Sequence, residues 1–290
     1  MSAEHPRRSY DWLYEIDLDP DRHWRYMGTR ALGQRPWLVV DDQRDAELVF
    51  KSVLLADRHD EVFIALPGTE DAGQEALDLI VGTGPTEVKA SAVEVELTDS
   101  SGAELHPLDI AGRLVQEDLC LLNRTSKGWV LSAGSVCFPS SWSLAERVGH
   151  PLLDVHAPVE GYSSDLAGRV DRLFDRSEQQ VIWRRNWFLD PDPRLFQPGR
   201  PESRDRVVAA SDCLSGLYLR SERQTFRLLP RTGYVLFTIR TQQHALGRLL
   251  DDGSRRDAFT EFVRQAPIPV ASHRGVCEQQ RRELRLALSL

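Results

Sequence analysis

The sequence predicts an α+β fold: an antiparallel sheet with short helices, plus N-terminal and C-terminal helical extensions. Two observations carry this. The run Trp129 to Phe138, mostly small and apolar and stopped by Pro139, reads as a strand. The runs Leu217 to Leu229 and Tyr234 to Thr241 flank Pro230-Arg231-Thr232-Gly233, a hairpin signal.

The elements follow in order. Residues 1–35 hold Tyr10, Trp12, Leu13, Tyr14 and Trp24, an aromatic arm expected to lie on the body. Pro36 to Val40 reads as a strand, Ala46 to Leu55 as a helix and Glu61 to Leu66 as a strand. Pro67-Gly68 breaks the chain before an amphipathic helix, Ala72 to Val81. Val93 to Leu97 alternates as a half-buried strand does. Leu108 to Leu122 reads as one helix, with Glu117 and Asp118 away from its apolar face. After the strand from Trp129, Ser143-Leu144-Ala145-Glu146 has the form of a capping box, so a short helix is expected up to Gly149. Asp165 to Phe174 is a second short helix, and Gln180 to Leu189 is a strand rich in Trp and Arg. Prolines mark 190–204 as a loop, and Gln243 to Leu250, Arg255 to Gln265 and Glu278 to Leu288 as C-terminal helices.

Strand, short helices and then three antiparallel strands is the order of a PAS-like domain. This divides the chain into an N-terminal extension (1–107), a core (108–245) and C-terminal helices (246–290), expected as one compact unit. The helices are also a candidate homodimer surface.

The totals narrow the function classes. With 41% hydrophobic residues in 290, the chain can bury a full core. Its formal charge of −8 disfavours a nucleic-acid partner. Cys120, Cys137, Cys213 and Cys277 form no C-x-x-C pair, which removes zinc and iron–sulfur spacing. No apolar run approaches membrane-spanning length, and Met1 to Arg8 has no secretory pattern, so a cytoplasmic protein is expected. No G-x-S-x-G, H-E-x-x-H, Walker or G-x-G-x-x-G motif is present, so hydrolase, zincin, NTPase and direct nicotinamide chemistry lose support.

The residues that suit a cofactor are few. His156 follows Leu152, Leu153 and Val155 and precedes Ala157-Pro158, a setting that can hold an imidazole in one rotamer, as an axial metal ligand requires. A hydrogen-bonded core histidine is the commoner outcome for an isolated His. On a strand, Arg223, Thr225 and Arg227 share one face, while Glu222, Gln224 and Phe226 share the other. Two arginines on a pocket face would suit haem propionates or a substrate carboxylate; a solvated edge strand is the plain alternative. Trp183, Arg185 and Trp187 likewise lie opposite Arg184 and Asn186.

Several separated motifs resemble one family. They are Glu117-Asp118-Leu119-Cys120-Leu121-Leu122, the Gly128-Trp129 to Trp142 stretch with Cys137-Phe138-Pro139-Ser140, His156-Ala157-Pro158-Val159, Asn186-Trp187, Arg223-Gln224-Thr225 and Phe237-Thr238-Ile239-Arg240. In this order, over roughly residues 70–270, they resemble the haem-dependent oxidative N-demethylase alpha-subunit family. The resemblance implies a PAS-like haem b enzyme. With O₂ it would remove a methyl group from a small amine as formaldehyde, fed with electrons by separate flavin and iron–sulfur subunits. It makes His156 the axial iron ligand and Arg223 and Gln224 pocket or propionate residues, with Asn186, Trp187 and Tyr162 as further pocket candidates; Arg227 is a candidate cofactor-binding residue from its place on the Arg223 face. The residue that would meet the amine is not identified; Glu160 and Glu222 are candidates. Two positions depart from the family pattern, Leu228 in place of an arginine and Gln242 in place of an aromatic residue.

Overall fold

The structure is a computed structural model that describes residues 11–20, 28–93, 95, 97–99, 101–152, 180–199 and 206–290. Its centre is an α+β arrangement around a seven-stranded antiparallel sheet, ordered β1-β5-β6-β7-β3-β4-β2. The strands are β1 (Arg30–Ala31), β2 (Phe63–Ala65), β3 (Asp118–Thr125), β4 (Gly128–Ser135), β5 (Ile182–Asp190), β6 (Tyr218–Leu228) and β7 (Val235–Ala245). The β6–β7 hairpin is the longest ladder, running from the pair Tyr218 and Ala245 to the pair Leu228 and Val235. Its turn closes through Gly233, which sits at φ +75 and donates to the Leu229 carbonyl.

The sheet separates three apolar clusters. On one face, Trp183, Leu119, Leu121, Ala133 and Leu236 pack under helices α3 (Glu70–Thr83) and α5 (Pro107–Leu114). Further along that face, Trp187, Leu189 and Leu219 meet the C-terminal helices α8 (Gly253–Gln265) and α10 (Glu278–Ala287). Here Phe259 and Phe262 are buried, and the Trp187 and Phe262 rings meet edge-on at 5.2 Å. The opposite face carries Cys120, Leu122, Leu131, Ile182, Phe226 and Val235. Helix α1 (Arg44–Asp57) lies by the β3 entry, its buried Lys51 donating to the carbonyls of Val115 (2.9 Å) and Glu117 (2.7 Å). Shorter helices complete the described part: α2 (His59–Val62), α4 (Thr86–Ser91), α6 (Cys213–Gly216), α7 (Leu246–Leu250) and α9 (Ile268–His273).

Several expected elements are corrected. The helix from Leu108 ends at Leu114; Val115 is extended (φ −124, ψ 154) and Asp118–Thr125 is a central strand. A strand buried on both faces is a continuous apolar run, and Leu119 to Leu122 has no period that distinguishes it from a helix. Gln116, Glu117 and the first strand residue, Asp118, make tertiary bonds instead of helical ones. Gln116 reaches Asp41 and Glu47, Glu117 accepts the Val39 N–H, and Asp118 accepts those of Cys137 and Phe138. Pro36 to Val40 is not a strand, because side chains of Arg223 and Glu117 take up its backbone groups. Ser143 to Gly149 forms turns in place of a capped helix. Leu144 plugs against Gly134, and Gly149, at φ +84, donates to the Leu131 carbonyl. In the Val93 to Leu97 alternation, Val93 and Leu97, expected on the buried side, are exposed; Glu94 and Glu96 lie outside the described residues. Gln243 to Ala245 extend β7, so the helix begins only at Leu246.

Of the aromatic arm, Trp12 and Leu13 are buried in a 3-10 turn and Tyr14 is exposed. Tyr10, Trp24 and the Asp165 to Phe174 helix lie outside the described residues. Among those described, no helix is long and apolar enough to cross a membrane.

The crossing of α5 over β4 depends on Gly112. A Cβ there would come within 2.1 Å of Ser135 Oγ and 2.8 Å of its Cβ. Gly112→Ala is therefore expected to cost about 2 kcal/mol as overpacking. Gly82→Ala on α3, where nothing lies within 4 Å, should be stabilising by about 0.5–1 kcal/mol. Urea unfolding of the two variants checks both signs.

Candidate functional site

Strand alternation decides where the candidate residues go. Arg223 and Arg227 fall on the helix-covered face. Arg223, 1% exposed, donates to the Pro36 and Trp37 carbonyls and lies 5.5 Å from the Trp183 ring. Arg227 stacks over Trp37 at 5.1 Å, and burial pulls its pKa down. Trp187 is on the same face among the C-terminal helices, its Nε1 donating to the Asp17 carbonyl at 2.7 Å. Gln224 and Asn186 fall on the opposite face. Gln224 donates to Glu222 at 2.9 Å, and Asn186 accepts from Arg274, which also lies 4.9 Å from the Trp187 ring. The sheet therefore separates Arg223, Arg227 and Trp187 from Gln224 and Asn186. His156, Tyr162 and Glu160 lie outside the described residues.

The opposite face supplies a flat apolar wall. Phe226 and Phe237 are cross-strand partners whose rings stack at 4.6 Å and 5°. Ile182 and Val235, both fully buried, flank them. Gln224 and Glu222 place polar groups further along the same strand.

On the other side, a polar cluster surrounds Arg240. Its guanidinium, 1% exposed, meets Asp41 at 2.7 Å and Glu47 at 2.8 Å and also donates to the Thr241 carbonyl. Gln116 bridges the two carboxylates at 2.8 and 2.7 Å. Gln242 donates to Asp41 and accepts from Arg185, which is paired with Glu15. Burial raises Asp41, but Arg240 and the hydrogen bonds of Gln116 and Gln242 outweigh it, so its pKa is lowered. Burial holds Glu47 and Glu117 above the ordinary carboxylate range despite Arg240. Beside the cluster opens a cavity of about 680 Å³.

Sequence reasoning missed this cluster. It put Glu117 and Asp118 on the outer side of a helix, whereas each is 1% exposed. It treated Arg240 only as part of a motif. The available signal was the density of polar residues in Gln116-Glu117-Asp118 directly before an apolar run, which a helix read as solvated but a buried strand entry must pair.

Two outcomes follow. Arg240→Met leaves Asp41 and Glu47 buried without their cation and should cost about 3–5 kcal/mol in urea unfolding. Asp118 is pushed up to about 6, chiefly by burial, against Lys51 and the two amides. An acid raised above its unfolded value near ~4 binds its proton more tightly when folded. That stability is complete below the unfolded pKa and is lost as pH rises through about 6. Asp118→Asn should therefore gain on the wild type between pH 4 and 7 (~3 pH units around the two pKa values) in unfolding measured pH by pH.

Residues 28–282 match the family model described as haem-dependent oxidative N-demethylase, alpha subunit-like. This span takes in all seven strands and helices α1 to α9. The chain belongs to the haem-dependent oxidative N-demethylase, alpha subunit-like, family.

Proposed function

We propose that this protein is a PAS-like haem b enzyme that oxidises a small amine at an N-methyl group, with His156 as the axial ligand of the iron. Family membership across residues 28–282 supports a haem-dependent oxidative role, and it is the observation that carries the reading. Haem iron needs only one axial imidazole or thiolate from the protein, which His156 would supply. The stacked rings of Phe226 and the half-buried Phe237 offer an apolar surface for a flat macrocycle, backed by the fully buried Ile182 and Val235.

When bound, the haem would supply oxygen activation and redox chemistry that no side chain can. The protein's part is binding, orientation and exclusion of water. Phe226 and Phe237 keep one wall dry. Gln224, tied to Glu222, and Asn186, held by Arg274, present polar groups on the same face. Arg223 and Arg227 act from behind the sheet by fixing Trp37. An amine reacts at nitrogen or the adjacent carbon only when its lone pair is uncovered, so a carboxylate must accept its proton; Glu222 and Glu160 are the candidates. Overall, the N-methyl amine, O₂, two electrons and two protons give the demethylated amine, formaldehyde and water. The electrons would come from a separate flavin and iron–sulfur reductase, in keeping with an alpha-subunit-like chain.

Reconstitution with hemin tests the reading. The wild type should take up one haem with a Soret band, and His156→Ala should lose most of it, while His150→Ala should not. A full Soret band in His156→Ala would refute the ligand assignment. No band in the supplemented wild type would remove haem altogether. A haem-loaded protein that releases no formaldehyde from a panel of methylated amines, with reductant and O₂, would leave a gas or redox sensor in place of the enzyme.

A further inference from the structure

The helix-covered face of the sheet carries arginines at one edge that no acid answers. Arg30 is the cross-strand partner of Trp183, and Trp183 pairs in turn with Thr225, which lies between Arg223 and Arg227. Directly opposed residues share a face, so Arg30, Trp183, Arg223 and Arg227 lie on one side of the edge formed by β1, β5 and β6, away from Phe226. The segment after β1 brings Arg35 and Trp37 over this side, and Arg223 anchors it through the Pro36 and Trp37 carbonyls.

Two arginine–tryptophan pairs result. Arg35 lies over the Trp183 ring at 5.0 Å, and Arg227 over the Trp37 ring at 5.1 Å. Stacking occupies the flat face of a guanidinium and leaves its in-plane N–H fork to donate. Among the described residues, the guanidinium groups of Arg30, Arg35 and Arg227 make no hydrogen bond and no ion pair. Arg227 is half-buried, and burial lowers its pKa with no carboxylate raising it. The rings add donors of the same kind. Trp183 is 5% exposed and Trp37 8%, and the Nε1 of each is buried with no acceptor. Buried N–H groups are seldom left unmatched. Two indoles and three guanidiniums on one patch all lack the same thing, an acceptor oxygen.

The patch faces solvent. Arg30, Gln34, Arg35 and Pro36 are exposed, and a Cβ at Gly33 would meet nothing within 4 Å. Arg35 and Arg227 are the side chains that lie over the two rings, so a ligand that draws their forks outward also uncovers the indole N–H groups. Trp183 and Arg227 stand diagonally across the strand pair, about 7–8 Å apart between backbones. A lone phosphate reaches one arginine–tryptophan pair, and two linked phosphoryl groups reach both.

We propose that this face binds a diphosphate group, with one phosphoryl at Arg35 and Trp183, the other at Arg227 and Trp37, and Arg30 at the rim. Guanidinium forks take phosphoryl oxygens in pairs. A dicarboxylate brings less charge to three unmatched cations, and in a chain of net charge −8 their concentration at one edge is a local attraction for anions. The site does not rest on the haem reading, since it lies behind the sheet from Phe226 and Phe237.

Calorimetric titration of the full chain with pyrophosphate tests the site, with glutarate as the dicarboxylate comparison. Pyrophosphate should bind one to one, more tightly than glutarate, and less tightly as salt is raised. Arg35→Gln, at an exposed position where folding is not at stake, should weaken it about tenfold. Arg227→Gln should weaken it at least as much, with matched far-UV spectra as the folding check. Trp183→Phe, which keeps a ring and removes the N–H, should weaken it as well. Arg248→Gln, beyond the other end of β7, should leave it unchanged. ADP titrated alongside separates two carriers of the group: tighter binding than pyrophosphate assigns a nucleotide, equal or weaker binding a free diphosphate. Absence of pyrophosphate heat, equal affinity in Arg35→Gln and wild type, or tighter binding of glutarate would each overturn the proposal. So would loss of pyrophosphate binding on loading with hemin, which would give these arginines to haem propionates.

Discussion

A guanidinium taken out of water has to be matched on every side, and Arg240 sets the terms for much of this molecule. It projects from β7 in the middle of the sheet and is met by Asp41 and Glu47 at the start of α1. Gln116 ties those two carboxylates to the chain entering β3, and Gln242 carries the connection to Arg185 and Glu15. One cation thus fixes the helix, the strand entry and the N-terminal turn relative to one sheet. Such a cluster adds less net stability than an apolar core of equal volume, because desolvation cancels most of the attraction. What it does is forbid alternatives, since any other register leaves charges buried and unmatched.

The sheet's alternation then assigns tasks to its faces. Residues adjacent in sequence are separated by a full sheet thickness. Arg223 holds Trp37 in place, while Gln224 is presented with Phe226 and Phe237 on the far side. The apolar wall of Phe226 and Phe237 and the Arg240 cluster can therefore change independently, although both draw on β7.

The strands with one simple reading were visible in the sequence. The β6–β7 hairpin was legible from two strand runs flanking the Pro230 to Gly233 turn, β4 from a small apolar run stopped by Pro139, β5 from its Trp- and Arg-rich run, and α3 from its helical spacing, while α8 and α10 were expected as C-terminal helices. Leu108 to Leu122 was not, because a strand covered on both faces and a buried helix present the same uninterrupted apolar run. The capping box at Ser143 misled for a related reason. A local signal worth about 1 kcal/mol gives way when Leu144 can fill the space above Gly134. At the site, alternation placed Arg223 opposite Gln224, yet sequence could not reveal that Arg223 is already engaged by the Pro36 and Trp37 carbonyls. Nor could it show that Asp41, Glu47 and Arg240, nearly 200 positions apart (|i−j| of 199 for Asp41 and Arg240), meet. Contacts of that span leave no local period.

One detail of β5 bears on how the protein behaves in company. Beyond Trp183 this strand has no neighbour from β1, and Leu189 instead donates its N–H to the Arg274 carbonyl. Gly275 lies so close, with a left-handed φ of +75, that any side chain would strike the Leu189 carbonyl. The chain's own return segment thus occupies the groups that an exposed strand would offer to another copy. A single glycine, next to Arg274, thus lets the return segment close this stretch of β5 against pairing with a second copy.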